Sequence, residues 1–161
     1  MELRSAHVVL ESIDPASAGR IVRREERPGD AWHREYPFVD ELDPLRQLAA
    51  SEGADEDFGM FLLRRTSDGL AVGGLGFFGP PDEHGRVEFG YGLVPAARGA
   101  GLATEAVLLA MRHAQQRGAR SAAADTDRTN TASQRVLAKS GFTTAGTRGQ
   151  LVLFERVLAR A

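Results

Sequence analysis

The chain has 161 residues and none of them is cysteine. This absence excludes disulfide bonds, a thiolate nucleophile and every metal site that is built on cysteine ligands. Histidine is also scarce, and no two histidines have the spacing of metal ligands. The four histidines are His7, His33, His84 and His113. We therefore predict no metal site.

The sequence also lacks an uninterrupted apolar run long enough to span a bilayer, and its first residues lack the pattern of a secretory signal peptide. Its net charge is only −2, which gives no electrostatic reason to bind nucleic acid. With 42% hydrophobic and 26% charged residues, it has the composition of an ordinary globular protein. We predict one domain over residues 1–161, in the cytoplasm, without a membrane or nucleic-acid partner.

Hydrophobic periodicity and turn residues predict alternating strands and helices. Strands are expected at residues 7–13, 58–65, 70–78, 86–94, 121–126 and 149–158. Helices are expected from Asp14–Pro15 and over residues 42–51, 100–117 and 130–140, with Gly118 and Gly141 closing the last two. The order β-α-α-β-β-β-α-β-α-β-β, with hairpins before a βαβ crossover, predicts an α/β domain with a mixed sheet.

The stretch VPAARGAGLATEA, residues 94–106, joins a predicted strand to a predicted helix. Gly99 and Gly101 permit positive φ or the close approach of a ligand. The unpaired N–H groups of a first helical turn, together with the positive end of the helix dipole, favour an anion such as phosphate. A P-loop would need a lysine here, and the dinucleotide fingerprint would need a small residue where Thr104 stands.

Three spaced motifs make the chain resemble the Gcn5-related N-acetyltransferase (GNAT) superfamily. Residues 98–103, RGAGLA, match [Q/R]-x-x-G-x-[G/A]. Residues 130–142 match N-x-x-S-x-x-V-L-x-K-x-G-F, and residues 88–93 match E-x-G-Y-x-L. The last two motifs are similar to the RimJ/RimL-like branch, whose members acetylate the N-termini of ribosomal proteins. The resemblance is strongest over residues 86–146.

The resemblance implies a mostly antiparallel central sheet with a splayed parallel strand pair and flanking helices. It also implies acetyl-CoA as cofactor and an amine as acceptor, and it leaves a homodimer open. The pyrophosphate is expected on the loop formed by Arg98, Gly99, Ala100, Gly101, Leu102, Ala103 and Thr104. The pantetheine arm is expected along Leu93 and Val94, where a bulge would separate the parallel strands, and beside Asn130 and Ser133.

Direct acetyl transfer requires an amine without its extra proton and a proton for the leaving thiolate, but no covalent enzyme intermediate. Strand alternation places Glu88 on one face with Gly90 and Gly92, which leaves room for a ligand. We predict Glu88 as the base; the alternative is a solvated glutamate on an exposed face. Ser133 is the predicted acid, because Leu137 stands where many relatives have a tyrosine; an ordinary first-turn serine, with water as the acid, is the alternative.

Residues 23–41 have little periodicity and mixed charge, so they name no acceptor. Trp32 and Tyr36 are predicted to face the substrate, unless they belong to a surface loop whose aromatic rings close the edge of the core. The sequence as a whole predicts an acetyl-CoA-dependent N-acetyltransferase. The alternative is a non-catalytic acyl-CoA-binding sensor or regulatory module, and the presence of both Glu88 and Ser133 favours the enzyme.

Overall fold

The computed structural model describes residues 1–158. The strands of this part of the chain are β1 (Glu2–Arg4), β2 (Val8–Ser12), β3 (Met60–Arg65), β4 (Ala71–Phe77), β5 (Arg86–Leu93), β6 (Ser121–Asp127), β7 (Thr143–Arg148) and β8 (Leu151–Val157). The helices are α1 (Pro15–Val22), α2 (Leu42–Ala49), α3 (Leu102–Gln116) and α4 (Thr131–Lys139), with 3₁₀ turns at Val39–Glu41 and Pro95–Ala97. None of these helices is long and apolar enough to cross a membrane.

The strands form one sheet in the order β1-β2-β3-β4-β5-β6-β8-β7. Every neighbouring pair is antiparallel except β5 and β6, which the α3 crossover connects. These two strands pair only between Arg86–Glu88 and Ser121–Ala123, and they diverge beyond Glu88. The predicted mixed, mostly antiparallel sheet with a splayed parallel pair is therefore confirmed.

The gap between β5 and β6 does not come from the bulge that we expected at Leu93–Val94. The register of β4 with β5 is unbroken from Phe77 and Phe89 to Gly73 and Leu93. The N–H of Val94 then continues this pairing by donating to the carbonyl of Val72 at 2.8 Å. The gap opens because the pairing of β5 with β6 ends early.

The helices form where apolar periodicity and capping residues predict them. Asp14 caps α1 by accepting a hydrogen bond from the Ser17 amide at 2.7 Å, and Pro15 occupies the first turn. The longest helix, α3, buries one face against β1, β2, β5 and α4. That face carries Ala106, Val107, Ala110, Met111 and Ala114. Gly118 and Gly141 adopt φ values of 98° and 88° after α3 and α4, as helix-closing glycines do.

Two strands and the ends of α2, α3 and α4 differ from the expectation, the helix ends by one or two residues each. No bounds were predicted for β1, which has three residues, or for β7, whose residues are all exposed at the outer edge of the sheet. Neither presents the apolar alternation that marks a half-buried strand. The helix α3 begins at Leu102 instead of Ala100, because Gly99 and Gly101 adopt φ values of 86° and 79°.

Candidate active site

A cleft of about 1220 Å³ lies along the part of β5 that has separated from β6. Its walls are β4, the second half of β5, the loop and first turn of α3, one side of α4, the Val39–Glu41 turn and part of α2. Sites for a single small ligand enclose roughly 300–1,000 Å³. This cleft therefore has room for a long ligand together with a second molecule.

The predicted phosphate loop forms one wall of this cleft. Gly101 is the N-cap residue of α3, and as a glycine it has no side chain that could cap the helix. The amides of the first turn, at Leu102, Ala103 and Thr104, therefore lack the partners that a capping side chain gives, and all three residues line the cleft. Of the loop residues predicted from the sequence, only Ala100 does not line it.

Arg98 connects this loop to two other elements. Its Nε donates to the carbonyl of Leu93 at 3.1 Å, and its guanidinium lies 4.8 Å from the ring centroid of Phe38. Leu93 lines the cleft, whereas Val94 is fully buried and its N–H is already paired. Arg98 thus fixes the loop against β5 and against the end of the 23–41 segment.

Asn130 and Ser133 lie together at the start of α4, and both line the cleft. Asn130 caps the helix by accepting from the Ser133 amide at 3.0 Å. The Ser133 hydroxyl lies 2.7 Å from the hydroxyl of Tyr91 on β5. Burial raises the pKa of Tyr91, which keeps the phenol protonated as a donor. When Tyr91 donates to Ser133, the serine is free to donate its own proton into the cleft.

Glu88 lies on the face of β5 predicted from the alternation, but outside the residues that line the cleft. Its side chain is 60% exposed and stands 3.6 Å from Arg86, which also contacts Glu155 at 3.4 Å. The ring of Phe78 stands over the neighbouring Gly90. Glu88 is therefore at the rim of the cleft, and its role as the base remains a prediction.

Trp32 and Tyr36 also lie outside the cleft lining. Tyr36 is buried, and its ring centroid is 6.0 Å from that of Trp32. Trp32 borders a separate cavity of about 110 Å³ beside the Arg20–Asp30 ion pair. This arrangement resembles the alternative in which the aromatic rings close the edge of the core. From the same segment, Phe38 does reach the cleft.

Glu41 is a cleft residue that the sequence analysis missed, because residues 23–41 show no periodicity that would predict a buried side chain. It is only 7% exposed, and its Oε2 has no hydrogen-bond partner within residues 1–158. A Cβ at Gly74 would collide with its carboxyl group, so this glycine makes the space that Glu41 occupies. Burial raises the pKa of Glu41 to about 8; the amide of Phe38 partly offsets the shift and Asp40 adds to it.

The charged residues of the cleft are separated by sign. The basic residues are Arg98 on the loop and two residues of α4, Arg135 and Lys139. The acidic residues are Asp40, Glu41 and Asp43, at the start of α2. Arg135 and Lys139 favour an anionic ligand on the α4 side, and Asp40, together with Glu41 once it is ionised, favours a cationic one at the turn before α2. Within residues 1–158, no group of three acidic or histidine side chains is placed to hold a metal ion.

Comparisons with known proteins agree with this architecture. A family model described as an acetyltransferase (GNAT) domain matches residues 8–143. The uncharacterized N-acetyltransferase YjdG of Bacillus subtilis (strain 168) is 28% identical over 106 residues, which cover 65% of this chain; the match spans 63% of that relative.

Solved structures of acetyltransferases also superpose on this chain. A probable acetyltransferase of the GNAT family from Chromobacterium violaceum superposes with a TM-score of 0.69 and 27% identity, covering 98% of this chain and 86% of that one. RimL, a ribosomal alpha-N-protein acetyltransferase solved with coenzyme A, gives a TM-score of 0.71 at 16% identity over 98% of both chains. At that identity, the likeness to RimL shows the fold alone.

Proposed function

The chain belongs to the GNAT acetyltransferase family, and from this premise we propose that it moves the acetyl group of acetyl-CoA directly to a primary amine. The observation that carries the proposal is one cleft in which the α3 loop, the gap beside β5 and Ser133 meet. The family uses acetyl-CoA as the acetyl donor. The proposal therefore concerns the amine that accepts the acetyl group.

The residues of the cleft fit coenzyme A. The uncapped first-turn amides of α3 are suited to a pyrophosphate, and Arg135 and Lys139 add positive charge nearby. Leu93 and Ser133 flank the gap through which a narrow pantetheine arm would pass. Acetyl-CoA itself supplies an activated acyl group as its thioester.

We propose that Ser133 protonates the thiolate that leaves when the acetyl group is transferred. The Tyr91 hydroxyl lies 2.7 Å from that of Ser133 and 3.2 Å from the Ser133 carbonyl. The proposed acid role requires the arrangement in which Tyr91 donates to the Ser133 hydroxyl, so that the serine proton is free for the thiolate. For the acceptor, we propose a primary amine of either a protein N-terminus or a small molecule. The two RimJ/RimL-like motifs at residues 88–93 and 130–142 support the protein N-terminus.

The experiment that tests this function combines calorimetry with an assay of thiol release. We expect the protein to bind CoA, and to release thiol from acetyl-CoA with at least one of an alanine-led tetrapeptide, spermidine and kanamycin. Binding without thiol release from any amine would favour the non-catalytic module. If CoA does not bind, the proposal is wrong at its first step.

The Ser133→Ala variant is expected to lose about 10-fold in kcat while its affinity for CoA stays unchanged. A general acid commonly contributes 10²–10⁴-fold, but a thiol with a pKa near 8.5, by analogy with cysteine, leaves readily without one. Tyr91→Phe should reduce kcat in the same direction by a smaller factor, because it removes only the orienting contact. If Ser133→Ala keeps the wild-type kcat, water and not Ser133 protonates the leaving thiolate.

Asn130→Ala is the comparison for Ser133→Ala, since it removes the helix cap beside the same hydroxyl. The loss of a cap costs about 1 kcal/mol of unfolding free energy, so the melting temperature should fall by roughly 2–4 °C. We also expect weaker CoA binding, which Ser133→Ala should not show. Calorimetry and thermal unfolding of both variants separate these effects.

A further inference from the structure

The carboxyl group of Glu41 lacks a partner in a place where a ligand can supply one. Glu41 ends the 3₁₀ turn before α2, is more than nine-tenths buried and lines the cleft. Its Oε2 is a buried acceptor without a hydrogen bond inside residues 1–158. Buried polar groups are nearly always hydrogen-bonded, because an unpaired one is costly. The Oε2 atom is closed off by the protein, whereas Oε1 stands over Gly74 on the floor of the cleft, and this is the oxygen at which a donor of the substrate would meet the carboxyl group.

The sheet beside Glu41 is open because it carries no side chains. Gly74 and Gly92 are directly paired across β4 and β5, and so are Gly76 and Gly90. Since paired residues point to the same face, these four glycines form a smooth floor on the face that Glu41 covers. Tyr91 and its partner Leu75 point to the opposite face. Glu41 and the Tyr91–Ser133 pair therefore line the same cleft from the two faces of the sheet.

The charges around Glu41 leave it without a cation of the protein's own. Asp40 precedes it on the same turn, and Asp43 follows on α2, where it pairs with Arg46 at 3.1 Å. Behind it lies the buried phenol of Tyr36, whose pKa is raised first by burial and then by Glu41. Arg64, which acts on the Tyr36 phenol, is held by Glu11 at 2.9 Å. Arg98 packs on the Phe38 ring and donates to the Leu93 carbonyl.

We propose that Glu41 receives the ammonium group of the acceptor and takes its proton before transfer. The inference rests on the proposed function and names its substrate class: a cationic primary amine that enters from the acidic side of the cleft, formed by Asp40, Glu41 and Asp43. Coenzyme A, which is anionic, would take the side formed by Arg135 and Lys139 on α4, with its pyrophosphate on the loop that carries Arg98.

The step balances in atoms and protons. One proton passes from the ammonium group to the Glu41 carboxylate, and the neutral amine forms a C–N bond to the acetyl carbon while the C–S bond breaks. The second proton leaves the nitrogen and, through Ser133, goes to the thiolate. Glu41 then returns its proton to solvent when the amide leaves.

The proton affinity of the site agrees with this role. Without a bound cation the pKa of Glu41 is about 8, which is close to that of a free α-amino group. A bound ammonium would also favour the ionised carboxylate, because an opposite charge at close range lowers the pKa of an acid. Glu88, the base predicted from the sequence, is instead 60% exposed beside Arg86.

The test compares Glu41→Gln with Glu88→Gln and with the matched surface variant Glu52→Gln, which alters an exposed carboxylate outside the cleft lining. We expect Glu41→Gln to lower kcat/KM for the amine by about 10²–10⁴-fold at pH 8, with the loss shrinking above pH 9 as the free amine becomes neutral. Spermidine and the alanine-led tetrapeptide are also titrated into the CoA-saturated proteins. The amine that the wild type acetylates should bind at least 10-fold more weakly to Glu41→Gln than to the wild type.

The affinity for CoA separates this inference from the proposed function. It should be equal in the wild type, Glu41→Gln and Glu52→Gln. If the wild type binds CoA but acetylates no amine, the proposed function fails. If the wild type acetylates an amine and Glu41→Gln does so equally well, only the inference fails. A large loss in Glu88→Gln without one in Glu41→Gln would assign the base to Glu88 and overturn the inference.

Discussion

The Glu41→Gln variant is expected to be more resistant to unfolding than the wild type at pH 9, and to differ from it little at pH 5. The folded-state pKa of about 8 lies above the unfolded value of 4.5, so the folded chain binds the extra proton between these pH values. The free energy of unfolding therefore falls as the pH rises through this window. Glutamine is isosteric and carries no charge to desolvate, so the variant escapes this loss.

The expected difference between the two proteins grows by about 4 kcal/mol from pH 5 to pH 9. For a domain of this size it corresponds to a gain of roughly 10 °C in melting temperature at the higher pH. Thermal unfolding at the two pH values measures it, and Glu52→Gln is the control because its carboxylate is exposed in the folded chain. An equal gain at both pH values would mean that Glu41 is not a buried carboxyl that titrates.

Stability and chemistry conflict at this position. A glutamine or an apolar residue would relieve the cost of desolvating Glu41, and Gly74 would not be needed to make room for it. The chain nevertheless places an acid there, with a second acid, Asp40, directly beside it. Residues that lower stability without a structural return are expected at functional sites. The stability test and the kinetic test therefore probe the proton affinity of the Glu41 carboxyl group in two independent ways.

Most of the fold could be predicted from the sequence because its elements are local and periodic. The helices α3 and α4 have apolar residues at helical spacing, and glycines close both ends of α3. The strands β3 to β6 carry the apolar residues and turn signals of buried strands. The exposed edge strand β7 lacks both signals, and so no bounds could be set for it.

The site was only half predictable, for a physical reason. The glycine loop before α3 and the Asn130 cap are local features, since glycines with positive φ and a capping side chain act within one turn. The Tyr91–Ser133 contact joins residues 42 positions apart, and strand alternation does not predict such a contact. Glu41 is buried by the packing of the α2 segment over Gly74, which no local pattern encodes.

Replacing Gly101 with valine is expected to weaken CoA binding by about 10- to 100-fold. Gly101 adopts a φ of 79°, and a β-branched residue in that region costs about 1–3 kcal/mol. To avoid the strain, the loop would have to turn the first amides of α3 away from the cleft. A bulky side chain would also obstruct the close approach of a pyrophosphate to the backbone. Calorimetry with CoA gives the affinity directly.

Gly118→Val is the matched control, because Gly118 has a φ of 98° at the other end of the same helix and does not line the cleft. Within residues 1–158, neither glycine has an atom within 4 Å of the position a Cβ would take, so both variants differ from the wild type mainly in backbone strain. Both should lose thermal stability, but only Gly101→Val should lose affinity for CoA. Equal affinities would show that α3 does not hold the phosphates, and equal losses would trace the effect to a general weakening of the helix. A loss confined to Gly101→Val locates the anion where the glycines, the uncapped amides and Arg98 meet.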